Sequence, residues 1–436
     1  MFQTSHAFTF PNIKRCFWLS IVVSLNACTE SPIAFEASRT LEKATPLIDR
    51  FWAEKEHFSF SYDTDWLQSP YAQQIDPELN LYYGEQHGED DKNFRVFLDS
   101  CPDRWGRLLM KRREAIHARQ EQRRPRMLSE IDYLLGVHDL YRAGALRFKR
   151  EMNGPFLDND EHVAAQPLSS LRELEYAAGR VEENADGDDP DYVKWLAMLM
   201  SPGSSLGGAR PKASVTDGEG LLWIAKFPSR QDDYDMAAWE YVAYRLALDA
   251  GVVMPESRIE QFGSLHHTFL TKRFDRTLVS RLHFTSAMTQ LGYYDGDYEA
   301  SYLELAQFLT EHGANTKEDL AQLWRRIVFY IAISNTDDHL RNHGFVYHQG
   351  GWLLSPAYDI NPVTPAHGLH LNITDSDNRL DYELAMDVIE FFQLDRGQAL
   401  KIKDEVLGSV GKWRAQASAV GLSRSEQNLM EPAFNL

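Results

Sequence analysis

The 436-residue chain is poor in cysteine, in long apolar runs and in positive charge. Three cysteines, Cys16, Cys28 and Cys101, cannot form the disulfide framework of a small secreted domain, and a reducing compartment is the simplest reading. The longest apolar stretch near the start falls short of the about 20 residues that a membrane-spanning helix needs. Acidic residues outnumber basic ones by 64 to 45, a formal charge of −19. Such a field repels phosphate backbones and disfavours general nucleic-acid binding. What is present is a hydrophobic fraction of 43%, with 10 Trp and 23 Phe, enough for a large core. At roughly 150 residues per unit, the length suggests two or three structural units.

Residues 1–32 read as a leader or upstream extension without fixed structure. Lys14 and Arg15 precede an apolar stretch from Cys16 to Leu25, and Ala27 precedes Cys28, which describes a secretory or lipoprotein-like signal. The chemistry below needs cytosolic ATP and places the protein in the cytoplasm, with export as the alternative. From Phe58 to Tyr62 apolar and polar residues alternate, predicting a half-buried strand. A helix opening at Trp105 runs into a basic stretch with Lys111, Arg112, Arg113, Arg119, Arg123, Arg124 and Arg126. This is either a nucleic-acid or acidic-partner patch or a solvated face neutralised by nearby acids. The acidic run from Glu182 to Asp191 imitates a calcium loop, but Ala197 stands where the bidentate Glu is required, so a solvated linker is expected.

Four features beyond residue 200 carry chemistry. Gly207 and Gly208, within Ser204 to Lys212, lack Cβ atoms, so backbone N–H groups could approach phosphate oxygens. No Gly-Lys-Ser/Thr triplet follows, which excludes a Walker A loop. Lys226 lies inside the apolar strand Leu221 to Phe227, on the face of Leu222 and Ile224, and needs a counter-charge or an anion. Glu240, on the helix expected from Met236 to Ala250 with its stop at Gly251, is the candidate partner, as in the strand-lysine and helix-glutamate pair of protein kinases. After a helix carrying Leu320, Leu323, Trp324, Ile327, Val328 and Ile331 comes Thr336 to Asn342. There Asp337 precedes Asn342 by five positions, the spacing of a kinase catalytic base and its metal-binding asparagine, which Asp338 misses by one. Last, Asp359 follows a predicted hairpin of Phe345–Tyr347 and Trp352–Leu354, where kinases place a Mg2+-binding aspartate. A competing reading takes His339, His343, His367 and His370 with the same aspartates as a metal-dependent hydrolase.

Together with Phe60 to Leu67, Asp99 to Gly106, Lys272 to Arg276 and Leu354 to Asp359, these motifs resemble the HipA family of serine/threonine kinases, the toxins of certain bacterial toxin–antitoxin pairs. The resemblance implies an α+β, two-lobed kinase-like fold: an N-terminal subdomain over 33–180, an ATP-binding lobe over 181–275 and a helical catalytic lobe over 276–436. It implies ATP and Mg2+ as cofactors. Gly207, Gly208, Ala209, Arg210, Pro211 and Lys212 would form the phosphate loop, with Lys226 on the phosphates. Lys272, Arg273 and Phe274 would lie near the adenine hinge, with His339 and Tyr358 lining the site. Asp337 would be the base, while Asn342 and Asp359 would hold the metal. Ser205 matches a loop serine that can be autophosphorylated. The implied partners are a protein substrate, such as a translation component, and a small helix-turn-helix antitoxin, with DNA engaged only through it. A kinase-like binding module without turnover is the alternative.

Overall fold

A computed structural model describes residues 17–23, 47–54, 57–69, 72–88, 92–150, 154–157, 166–183, 191–200, 208–297, 299–348 and 350–436. Three sheets organise them. The first has strand order β4-β3-β2-β1-β5, built from β1 (Phe17–Val23), β2 (Leu47–Glu54), β3 (His57–Tyr62), β4 (Gln86–His87) and β5 (Leu146–Lys149), with antiparallel neighbours. The apolar stretch expected to belong to a structureless leader is therefore partly a central strand. The reason is local: Phe-Trp-Leu-Ser-Ile-Val-Val is aromatic and β-branched, and a short apolar run reads alike as signal core or buried strand. Phe58, Phe60 and Tyr62 of β3 are buried against Phe94, Phe97 and Phe148.

The second sheet has order β6-β7-β8-β10-β9, from β6 (Gln166–Pro167), β7 (Lys212–Thr216), β8 (Leu222–Lys226), β9 (Ser257–Glu260) and β10 (Thr268–Lys272). Its two faces differ sharply. Trp223 and Ala225 pack with Trp105 of α1 (Arg104–Gln120), with α2 (Leu171–Glu183) and with α3 (Tyr192–Met200) in one core. Leu222, Ile224 and Lys226 point the other way, as strand periodicity requires. On that side α4 (Met236–Asp249) lays Ala237 and Tyr244 on Phe269 of β10, and it buries Trp239, Val242 and Leu246 in the core of the helical lobe. The helix ends at Gly251, whose φ of +77° is easy only for glycine.

The helical lobe centres on α6 (Thr316–Ile333), preceded by α5 (Tyr302–His312) and followed by α7 (Arg396–Val410) and α8 (Trp413–Val420). The expected stripe Leu320, Leu323, Trp324, Ile327, Val328 and Ile331 is buried, but so are Phe329, Tyr330, Ala332 and Ile333. The second half of α6 is thus surrounded on all sides, which makes it the lobe's axis. It stops at Ser334 in the left-handed region (φ +51°) and releases the chain into the loop bearing Asp337. The expected hairpin forms as β12 (Gly344–His348) and β13 (Gly351–Leu354), and β11 (Phe284–Ser286) extends it to a third sheet. Among the described residues no helix is long and apolar enough to cross a membrane.

Candidate active site

The upper wall is the outward face of β7, β8 and β10. Lys226 Nζ lies 2.6 Å from Glu240 Oε1 on α4 and 2.6 Å from Asp359 Oδ1, which arrives from the segment after β13. One ammonium thus joins the two lobes. Burial works against the charge on Lys226, but Asp359 and Glu240 outweigh it and hold the lysine above its ordinary range. Burial likewise opposes the Asp359 anion, and Lys226 reverses this and holds its carboxyl below the usual range. Glu240 moves upwards, first through burial and then through Asp359 as a like charge; Lys226 only partly compensates. Two carboxylates share one cation, and the lysine and Asp359 carry the firmer charges.

The lower wall is the loop after α6. Asn342 Nδ2 donates to the Asp337 carbonyl at 2.7 Å, so the amide brackets the aspartate's backbone. The two neighbouring acids separate cleanly. The Asp337 side chain is 78% exposed, while Asp338 is fully buried, accepting from the Tyr302 hydroxyl and, at 2.7 Å, from the His370 N–H. His339 Nε2 stands 3.8 Å from Asp337 Oδ1, and its ring meets that of His370 edge to face. Tyr358 donates to the Arg341 carbonyl at 2.8 Å, and Asn335 Oδ1 accepts from the Asn361 N–H at 2.9 Å. These bonds fasten the Asp359 segment to the loop of Asp337 and Asn342. Asp359 itself has φ +57°.

The remaining expected residues divide. Gly208 has φ +98°, and a Cβ there would sit 3.0 Å from Lys212 Nζ. Ala209 is exposed, Pro211 accepts from the Phe227 N–H through its carbonyl, and Arg210 is paired with Asp232. Gly207 and Ser205 lie outside the described residues, as does the centre of the acidic run. Two expectations need correction. Lys272 stands opposite Trp223 on β8, so its side chain shares the face turned away from Lys226, with Nζ 3.6 Å from Glu256. Arg273 turns inward to Asp275 and to the carbonyls of Tyr141 and Arg142, leaving no guanidinium for an adenine hinge. Its own neighbour Asp275 supplies the reason: a buried guanidinium follows its carboxylate. Phe274 does flank the site, its ring 5.7 Å from that of Tyr358. The basic stretch is partly neutralised, Arg123 by Glu114 and Glu121, Arg126 by Glu114 and Asp132. Sequence reasoning passed over Asp103 and Lys212 as a pair; Lys212 Nζ is 3.0 Å from Asp103 Oδ2.

A five-stranded sheet over a helical lobe, with a lysine–glutamate pair above and an Asp/Asn loop below, defines a two-lobed protein-kinase-like fold of the α+β class. Within it, residues 204–417 match the HipA-like C-terminal domain, and the chain is HipA-like through that part. Two curated relatives are similar to it. One is a candidate kinase of Haemophilus influenzae, 29% identical over 153 residues, covering 32% of this chain and 44% of that protein. The other is the candidate kinase Y4dM of Sinorhizobium fredii, 31% identical over 164 residues, covering 34% and 39%. The chain thus spans less than half the length of the curated relatives it matches. In fold, it is similar to the HipA of Shewanella oneidensis solved with HipB and operator DNA. That match has a TM-score of 0.63 and 16% identity, covering 89% of this chain and 93% of that one.

Proposed function

We propose that the protein is a Mg2+- and ATP-dependent serine/threonine kinase of the HipA toxin type, acting on a cytosolic protein such as a translation component. The observation that carries this reading is the meeting of Lys226, Glu240 and Asp359, whose segment Tyr358 ties to Arg341 in the loop that bears Asp337 and Asn342. The donor set fits the cofactors. Among the described residues no three His, Cys, Asp or Glu side chains converge as a metal cage, whereas Mg2+ bound to a nucleotide needs only one or two protein oxygens. Asp359 and the Asn342 amide oxygen would be those ligands. Bound MgATP would supply the transferable phosphoryl group and spread its developing charge.

The chain's own residues then divide the work. Lys226, held by Glu240, orients the phosphates. Asp337, being exposed beside the cleft, accepts the proton of the incoming hydroxyl. His339 stands between Asp337 and His370 and restrains the loop. Ser205 as an autophosphorylation site, and a helix-turn-helix antitoxin that brings DNA, belong to the same proposal. The non-catalytic alternative drew on the basic stretch, and its pairing with Glu114, Glu121 and Asp132 leaves that reading less to stand on. The histidine-centred hydrolase lacks a converging ligand set among the described residues.

The test is labelling with γ-labelled ATP and Mg2+, followed by phosphosite mapping in the protein and in lysate. We expect phosphoserine or phosphothreonine with the wild type and a loss of about a hundredfold or more with Asp337→Ala. Equal labelling by both would overturn the assignment.

A further inference from the structure

We propose that Asp103 is a positioning residue for nucleotide binding: it fixes Lys212 over the phosphate end of the cleft, while Asp99 anchors the same short segment to the lower lobe. The inference rests on the kinase reading and gives a part in it to a segment that lies before both lobes in the chain.

The strand register creates the need. Lys212 on β7 stands directly opposite Lys226 on β8, so the two side chains share the cleft face. Like charges in that arrangement repel, and each lysine requires its own counter-charge. Lys226 has Glu240 and Asp359. Lys212, only 3% exposed, has Asp103. Its ammonium touches the end of the glycine loop, since a Cβ on Gly208 would lie 3.0 Å away. Lys212 Nζ therefore sits at the end of the glycine loop on the face it shares with Lys226, where nucleotide phosphates would lie.

Asp103 is itself immobile. Its Oδ1 accepts from the Gly106 N–H at 2.8 Å as the N-cap of α1, which leaves Oδ2 for the lysine. The Trp105 indole donates to the Lys212 carbonyl at 3.1 Å and fastens the helix to the strand. Four residues earlier, Asp99 accepts from Ser286 Oγ at 2.6 Å, from Ser286 N–H at 2.8 Å and from Thr285 Oγ1 at 3.2 Å. The next residue, Ala287, donates its N–H to the His343 carbonyl, adjoining Asn342. The segment thus grips the lysine above and the catalytic loop's exit below. Four residue steps reach at most about 14 Å, which caps the lobe separation here.

Binding of mant-ATP with Mg2+ to the full chain, in a double-mutant cycle, tests this. Asp103→Asn keeps the helix cap, because asparagine caps as well as aspartate, and removes the charge that aims Lys212. Freeing one long side chain that binding must then order weakens affinity roughly three- to tenfold. In a Lys212→Met background the same change should cost nothing further. Unchanged affinity, or an equal loss in both backgrounds, overturns the inference. So does tighter binding, which would make Asp103 a competitor of the phosphates. Asp103→Glu, which keeps the charge but displaces it, carries the same expectation should Asp103→Asn not fold. A wild type that takes up no nucleotide overturns the kinase reading as well. Binding that falls with Lys226→Met but ignores Asp103→Asn overturns this inference alone.

Discussion

Replacing Asp338 by asparagine probes the electrostatics beneath the loop that bears Asp337. Asp338 is fully buried, and burial pushes its carboxyl from 3.8 up to about 7 against the hydrogen bonds from Tyr302 and His370. The folded protein therefore keeps a proton on Asp338 that the unfolded chain loses near pH 4. Its contribution to stability is complete below the unfolded value and is lost as pH rises through the folded one. With one pH unit worth 1.36 kcal/mol, this single group removes about 2–3 kcal/mol of stability between about pH 5 and about pH 8. Asparagine reproduces the protonated acid: its oxygen accepts from the His370 N–H, and its amide donates to the Tyr302 oxygen, reversing that bond. Urea unfolding of both proteins at the two pH values gives the result as a difference, in which other titrating groups cancel. The wild type should lose about 2–3 kcal/mol relative to Asp338→Asn on going to the higher pH. A difference that stays flat, or that favours the wild type at high pH, would refute a buried proton at this position.

Glu240→Gln should leave Lys226 held by Asp359 alone. Losing one charge-assisted bond, worth about 1.5–3 kcal/mol, should lower kcat/KM for ATP about ten- to a hundredfold. Thermal stability should change little, because a like charge beside Asp359 is removed at the same time, and melting curves check that. Trp324→Ala should cost about 3–5 kcal/mol in urea unfolding, since it empties the centre of α6 and strands the Ala385 carbonyl that the indole serves.

The elements that the sequence disclosed are those with strong local periodicity: β3, β8, α4, α6 and the β12–β13 hairpin. Lys226 and Glu240 were legible as partners because a charge inside an apolar strand demands one, and a glutamate waits on the next helix. The loop of Asp337 and Asn342 was legible through its five-residue spacing. What escaped is non-local. Asp103 and Lys212 are 109 positions apart, and Asp99 meets Ser286 across 187. No periodic pattern reports such pairings. Lys272 and Arg273 were misplaced because a run of basic residues does not reveal which side of the strand each one leaves. β1 escaped because its seven residues, six of them apolar, fit a signal core equally well.

The left-handed backbone at Asp359 narrows what chemistry evolution could install there. Glutamate carries the same charge, but only asparagine and aspartate among side chains with an oxygen at this reach enter that conformation at modest cost. The position is therefore chosen twice, once for its charge and once for its torsion. Its mutational tolerance should be narrower than that of Asp337, whose neighbourhood is open to solvent.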